Sequence, residues 1–216
     1  MTPQCLVTLL RGWKLRRGSI VKKYGHNDGK YSVKCGNKSR REYNLWLGLL
    51  RRCFDKESFI KNPTYIGCTV SESFKHYTFF YEWCNSQTGF NTKDENGKSW
   101  ELDKDLLVKG NREYHEDTCC FVPQSINKLF TKRHNQRGGY PIGVYWKKKN
   151  NQFCVQCADG SGSQKYLGLF SDYSEAFKVY KDFKEKRIKS LADQYKHKLD
   201  PRAYEALMNY QVEETD

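Results

Sequence analysis

"IGVYWKKKNNQFCVQCADGSGSQKYLGLFSDYSEAFKVYKDF", residues 142–183, sets three short apolar-alternating segments ahead of a long amphipathic one. "IGVYWKKK", "QFCVQCAD" and "QKYLGLF" have the length and period of strands, with turns at Asn150–Asn151 and in the "GSGS" run from Gly160 to Ser163. The segment "SDYSEAFKVYKDFKEKRIKSLADQYK" predicts a helix with Tyr173, Phe177, Tyr180, Phe183 and Leu191 on its buried side. A three-stranded antiparallel sheet with one helix across its face is a complete small domain, expected over 142–196. Successive strand side chains point to opposite faces. Val144, Trp146, Phe153, Val155, Cys157 and Leu167 are therefore expected toward the helix. Tyr145, Lys147, Lys149, Gln156, Gln164 and Tyr166 are expected on the open face. That face is basic, amide-bearing and aromatic, a mix suited to phosphate and base-edge contacts.

Upstream, "KRHNQRGGYP" (132–141) combines charge, a Gly pair and Pro, and predicts a linker. Arg137 within it joins the expected DNA-contacting set. Downstream, "DPRAYEALMNYQ" predicts a last helix with Asp200 as N-cap and Pro201 in the first turn, and 197–216 ends in the acidic "VEETD".

Residues 1–131 are expected to form a second domain. "SIVKKYGHNDGKYSVKC" (19–35) predicts a hairpin around "HNDG". "EYNLWLGLLRRCF" (42–54) predicts a helix whose stripe is Tyr43, Trp46, Leu47, Leu50 and Phe54. A loop with Pro63 follows, then a helix near 71–86 with Phe74, Tyr77, Tyr81 and Cys84 on one face, which periodicity assigns to core. "NTKDENGKS" is a polar loop. It leads into "ELDKDLLVKGNREYHEDTCCFVPQSIN" (101–127), which predicts a strand over 100–108, a Gly110–Asn111 turn, a strand over 113–122 and a helix after Pro123.

Lys plus Arg number 38 against 25 Asp plus Glu among 216 residues, so the formal charge is +13. That excess favours a polyanionic partner, with nucleic acid first. Only 38% of the residues are hydrophobic while 15% are aromatic, which points to small cores built on large aromatic burial. No apolar run approaches the ~20 residues needed to span a bilayer, and "MTPQCLVTLLRGWKLRR" lacks the charge order of a secretory signal. The expectation is a cytoplasmic protein without membrane association. The nine irregularly spaced Cys are expected to be reduced and mostly buried. Cys154 and Cys157 have zinc-like spacing, but on a strand they point to opposite faces.

The residues "GVYW" at 143–146, "YLGLF" at 166–170 and the "EAF…Y" helix with Glu175, Ala176 and Tyr180 resemble the AP2 domain over about 138–190. The resemblance implies a sheet lying in the major groove of double-stranded DNA. Plant members are rich in Arg and Trp at the base-reading positions, where this chain has Tyr145, Lys147, Gln156 and Tyr166, so the site read does not transfer.

Over roughly 40–190 the chain resembles HNH-endonuclease-like proteins of tailed phages that carry a C-terminal AP2 domain. "YNLWLGLLRRCF", "LDKDLLVKGNREY", "TCCFVPQSIN" and the AP2-like segment carry the likeness. It implies an α+β chain, an HNH-like ββα module joined to the sheet and helix, acting in the cytoplasm of a bacterial host. Active HNH enzymes place an Asp-His pair on the first strand and a metal-binding Asn on the second. Here Asp103 matches the Asp, Lys104 stands at the base position, Thr118 at the second-strand ligand and Asn127 at the helix ligand. Asp105, two residues after Asp103, shares its face, and His115 or Asp117 from the second strand is expected opposite. Such a set holds Mg²⁺ or Mn²⁺ through carboxylates, with His115 as base near neutral pH and Lys104 on the phosphate. A solvated hairpin accounts for Asp105, Asp117 and His115 equally well. The resemblance thus implies either a metal-dependent homing-type endonuclease or a non-catalytic DNA-binding regulator. The non-catalytic reading covers counter-defence as well as regulation, and a host-protein inhibitor whose basic face meets an acidic partner is the third reading.

Overall fold

The computed structural model describes residues 17–130, 140–158 and 163–214. It mixes helices with short strands, an α+β composition. Two compact units divide the chain, Met1–Asn91 with Leu102–Phe121 and Thr92–Glu101 with Val122–Asp216. The division passes through the segment expected to hold the ββα core. The linker expected at 132–141 lies largely outside the described residues, as does most of the "GSGS" turn.

The first unit opens with helix α1 (Arg17–Tyr24), which corrects the hairpin expected over 19–35. Ile20 and Tyr24 stand four residues apart, one helical turn. Ile20 is buried and half-buried Tyr24 stacks on Phe54 at 4.2 Å, so one helical turn sets both against the same core. The "HNDG" run does turn, with Asn27 accepting from the Gly29 N–H and Asp28 from the Lys30 N–H. The tight reversal comes later, between β1 (Lys34–Cys35) and β2 (Lys38–Ser39).

Helix α2 (Arg41–Phe54) forms where its stripe predicts and buries Trp46, Leu47, Leu49, Leu50 and Cys53. The Trp46 indole donates to the Phe74 carbonyl at 2.8 Å, so its N–H enters the core paired. Asp55 caps α3 (Lys56–Lys61), and β3 (Thr69–Val70) follows. The helix expected over 71–86 is two, α4 (Glu72–Lys75), capped by Ser71, and α5 (Tyr77–Ser86). The break at His76 has a tertiary cause. The His26 N–H donates to the Lys75 carbonyl and the Tyr77 N–H donates to the His26 carbonyl, both at 2.8 Å. An outside segment thereby supplies the partners that an unbroken helix would supply internally. Phe74 meets Phe80 at 5.0 Å and Trp83 at 4.7 Å edge-on, and Phe121 joins Trp83 and Phe90, giving the expected aromatic core. Deleting such a side chain costs roughly 3–5 kcal/mol.

The two long strands expected at 100–108 and 113–122 are corrected to three short ones, β4 (Glu101–Asp103), β5 (Glu113–Tyr114) and β6 (Cys120–Val122). β4 pairs with β6, while β5 leaves to pair in parallel with β3, Val70 opposite Tyr114.

The second unit holds α6 (Gln124–Asn127), starting after Pro123 as expected, and the antiparallel sheet β7 (Val144–Lys147), β8 (Gln152–Ala158) and β9 (Gln164–Phe170). Helix α7 (Tyr173–Tyr195) packs on β8 and β9, with Asp172 capping the Glu175 N–H. Its buried side is corrected to Ala176, Tyr180, Ile188, Ala192 and Tyr195, with Tyr173, Phe177, Phe183 and Leu191 half-buried at its edges. Small Ala176 and Ala192 admit close packing where large aromatics would not fit. Helix α8 (Pro201–Met208) carries the expected Asp200 cap. Gly143 is required at the sheet's start. Its φ is +78°, and a Cβ there would lie 2.3 Å from the Tyr180 ring and 2.5 Å from the Gln156 carbonyl oxygen.

Among the described residues, no helix is long and apolar enough to cross a membrane. Seven cysteines are buried as free thiols and Cys35 is exposed. Burial pushes Cys53 and Cys119 up to about 12, so both are neutral packing groups. Cys154 pairs with Leu169, on the same face as Tyr145, while the opposite-facing Cys157 bonds the α7 Tyr180, so the two thiols share no metal geometry.

Candidate functional site

The open face of the β7–β8–β9 sheet is built by strict register. Tyr145 stands opposite Cys154, and Gln156, two residues further along β8, stands opposite Tyr166. A bulge between Val155 and Gln156 places Leu167 as the extra residue of β9 and keeps Tyr166 facing outward beside Gln156. Tyr145 is 43% exposed and Tyr166 54%, among the most exposed large hydrophobic groups described. A hydrogen bond with the Cys154 thiol, more than burial, raises the Tyr145 pKa and fixes its ring against the sheet. Gln164 is exposed at the edge and Gln156 half-exposed.

Lys147 closes β7, and Lys148 and Lys149 run into a turn whose Asn151 has φ +51°. All three lysines are exposed, and among the described residues none is held in an ion pair. Their charge is available to a partner. Arg137, expected in the same set, lies outside the described residues.

The central loop treats its polar groups differently. Asp103 is 8% exposed, and its Oδ1 accepts from the Asp105 N–H at 2.9 Å and the Leu106 N–H at 2.7 Å. Burial, and then the adjoining Asp105 carboxylate, push Asp103 above the usual carboxylate range, against the two amides that favour its charge. Lys104 Nζ donates to the Asn111 carbonyl at 2.9 Å and reaches Asp105 at 3.4 Å. The Asn111 amide donates to the carbonyls of Lys104 and Glu113 and to Thr118 Oγ1, and its Oδ1 accepts from the Glu113 N–H. Asn111 therefore gathers Lys104, Glu113 and Thr118 into one network. It was not among the expected site residues. Its signal was the Gly110–Asn111 turn, since Asn in turns bonds nearby backbone.

His115 Nδ1 accepts from the Asp117 N–H at 3.1 Å and lies 3.7 Å from Glu116 Oε2. Among the described residues, no hydrogen bond or ion pair joins His115 to Asp103 or Asp105, while the Thr118 N–H donates to the His115 carbonyl at 3.2 Å. Glu116 accepts from Ser71 Oγ at 3.0 Å. Asn127 belongs to the second unit, where its amide donates to Glu101 at 2.6 Å. No group of three or more His, Cys, Asp or Glu placed to hold a metal occurs among the described residues.

No protein-family model, curated protein or solved structure matches the chain.

Proposed function

We propose that the protein binds double-stranded DNA through the open face of its C-terminal sheet, and that the central loop serves as a scaffold. The observation that carries this reading is the pairing of two exposed tyrosines, Tyr145 and Tyr166, with Gln156 and the unpaired Lys147, Lys148 and Lys149 on one sheet. Lysines neutralise phosphates and release counterions, while amides and aromatic edges meet bases. The formal charge of +13 supports a polyanionic partner, and the AP2-like sequence pattern supports the mode of docking.

A second reading, metal-dependent cleavage by an HNH-like centre with Mg²⁺ or Mn²⁺, has one observation in its favour. The Asp103 and Asp105 carboxyl groups are hydrogen-bonded neighbours. Against it, Asp103 already accepts two backbone amides and Lys104 is tied to Asn111. The test is a duplex-DNA mobility shift at low salt beside a nicking assay with Mg²⁺ or Mn²⁺. A shift lost in the Tyr145→Ala/Tyr166→Ala variant, with no nicking, supports DNA binding without cleavage. Nicking that disappears in Asp103→Ala replaces it with the enzyme. No shift at all removes both and leaves the acidic host partner.

A further inference from the structure

The first unit carries a cleft of about 390 Å³ lined by Lys23, Tyr24, Gly25, His26, Phe54, Glu72, Lys75 and His76. That volume is in the range of small-ligand sites. Three features of its construction point to one ligand chemistry. Two imidazoles are fixed side by side, with centroids 5.1 Å apart, by the backbone bonds between His26 and the Lys75–Tyr77 segment. Their position thus depends on main chain. Two ammonium groups share the lining. Lys75 gives one bond to Glu72 at 2.6 Å, which leaves two of its three donor protons. Lys23 Nζ stands 5.0 Å from the Tyr24 ring centre. Finally, Tyr24 and Phe54 stack on each other at 4.2 Å with planes 6° apart, an aromatic pair in the cleft's lining.

A divalent cation is disfavoured here. Two lysines share the cleft, and no third metal ligand joins the imidazoles among the described residues. A purely apolar ligand would desolvate the polar heads of Lys23, His26, Glu72, Lys75 and His76. An anion with an aromatic body satisfies both parts.

We propose that this cleft binds a nucleotide, its phosphate held by Lys23, Lys75, His26 and His76 and its base beside the Tyr24–Phe54 pair. The site stands apart from the sheet-face reading and does not depend on it. The charged groups facing the imidazoles are Lys23 from α1, Glu72 and Lys75 from α4, and Asp28 beside His26.

The experiment follows the histidine ring resonances of the full chain by NMR as each probe is added at one fixed pH. The probes are thymidine 5′-monophosphate, inorganic phosphate, thymidine, and short oligonucleotides with and without a 5′-phosphate. Saturable shifts of His26 and His76 with the monophosphate, absent with thymidine, are expected. Lys23→Gln, an exposed position, weakens binding on the order of tenfold, as loss of a charge-assisted bond requires, while the control Lys34→Gln matches wild type. Response to the phosphorylated oligonucleotide alone assigns the ligand to a nucleic-acid end, and response to the free monophosphate assigns it to a nucleotide. Either upholds the site. Unmoved rings with every phosphate probe, equal response to thymidine, or wild-type binding by Lys23→Gln overturns it.

Discussion

The central loop and the open sheet face are both crowded with polar and charged residues, yet they use them in opposite ways. In the loop, Asp103, Lys104, Asn111 and Thr118 bond to nearby backbone and to one another. On the sheet, the backbone is satisfied by the ladder and Tyr145 bonds only the Cys154 thiol beneath it, so Gln156, Tyr166 and the lysines after β7 keep their polar ends for something else. Polar density alone thus does not mark a site. What marks it is whether the backbone beneath has other partners.

Substitutions that break each region show the largest effect first. Gly143→Ala forces a Cβ into the Tyr180 ring and the Gln156 carbonyl, and is expected to cost roughly 3 kcal/mol or more. Thermal unfolding checks it, and a wild-type midpoint would show that the sheet's seat on α7 is looser than described. Asn111→Ala removes two donor protons, shared among three acceptors, and one acceptance from the loop and is expected to cost about 2–3 kcal/mol in denaturant unfolding, with DNA affinity unchanged. Tyr166→Ala sharpens the contrast from the other side. Its expected loss is about 1 kcal/mol of duplex-DNA binding, roughly fivefold, with stability within about 0.5 kcal/mol of wild type.

The smallest effect has a pH signature. Asp103 holds its proton more tightly folded than unfolded. Its contribution to stability is therefore fully present below the unfolded carboxylate value near 4, and is lost as pH rises through the raised native value. Asp103→Asn removes a buried charge while keeping an oxygen acceptor for the two amides. It is expected to exceed wild type by on the order of 1 kcal/mol at pH 8, with the gap closing toward pH 4. Denaturant midpoints across that range check it. A variant less stable than wild type at pH 8 would mean that the ionised carboxylate is wanted there, as a cation site requires.

Regions with a single dominant period were legible in the sequence. The Trp46–Leu50 stripe and the strand–strand–strand–helix order of 142–183 needed only their own spacing, and register carried the face assignment of Tyr145, Gln156 and Tyr166. Where a distant segment supplied hydrogen bonds, the reading failed. Nothing in "SESFKHYTFFYEW" announces a break at His76, because His26 makes it. The long strands expected across 100–122 are cut short by side chains of Asp103 and Asn111 that compete for the ladder's own amides and carbonyls. Alternation favours a strand there and cannot register that competition. The two backbone bonds that Asp103 accepts were hidden for the same reason, since the residue type suits both a turn and a metal ligand.

One measurement addresses the division of labour directly. Duplex-DNA affinity is followed over a series of salt concentrations for wild type, Lys147→Gln/Lys149→Gln and Asp103→Asn. If the sheet face carries binding, the double lysine variant binds more weakly and its log–log salt slope flattens by about 1.8, two phosphate contacts' worth, while Asp103→Asn keeps the wild-type line. A wild-type line for the lysine variant together with a weakened Asp103→Asn would contradict the account and move the site to the central loop.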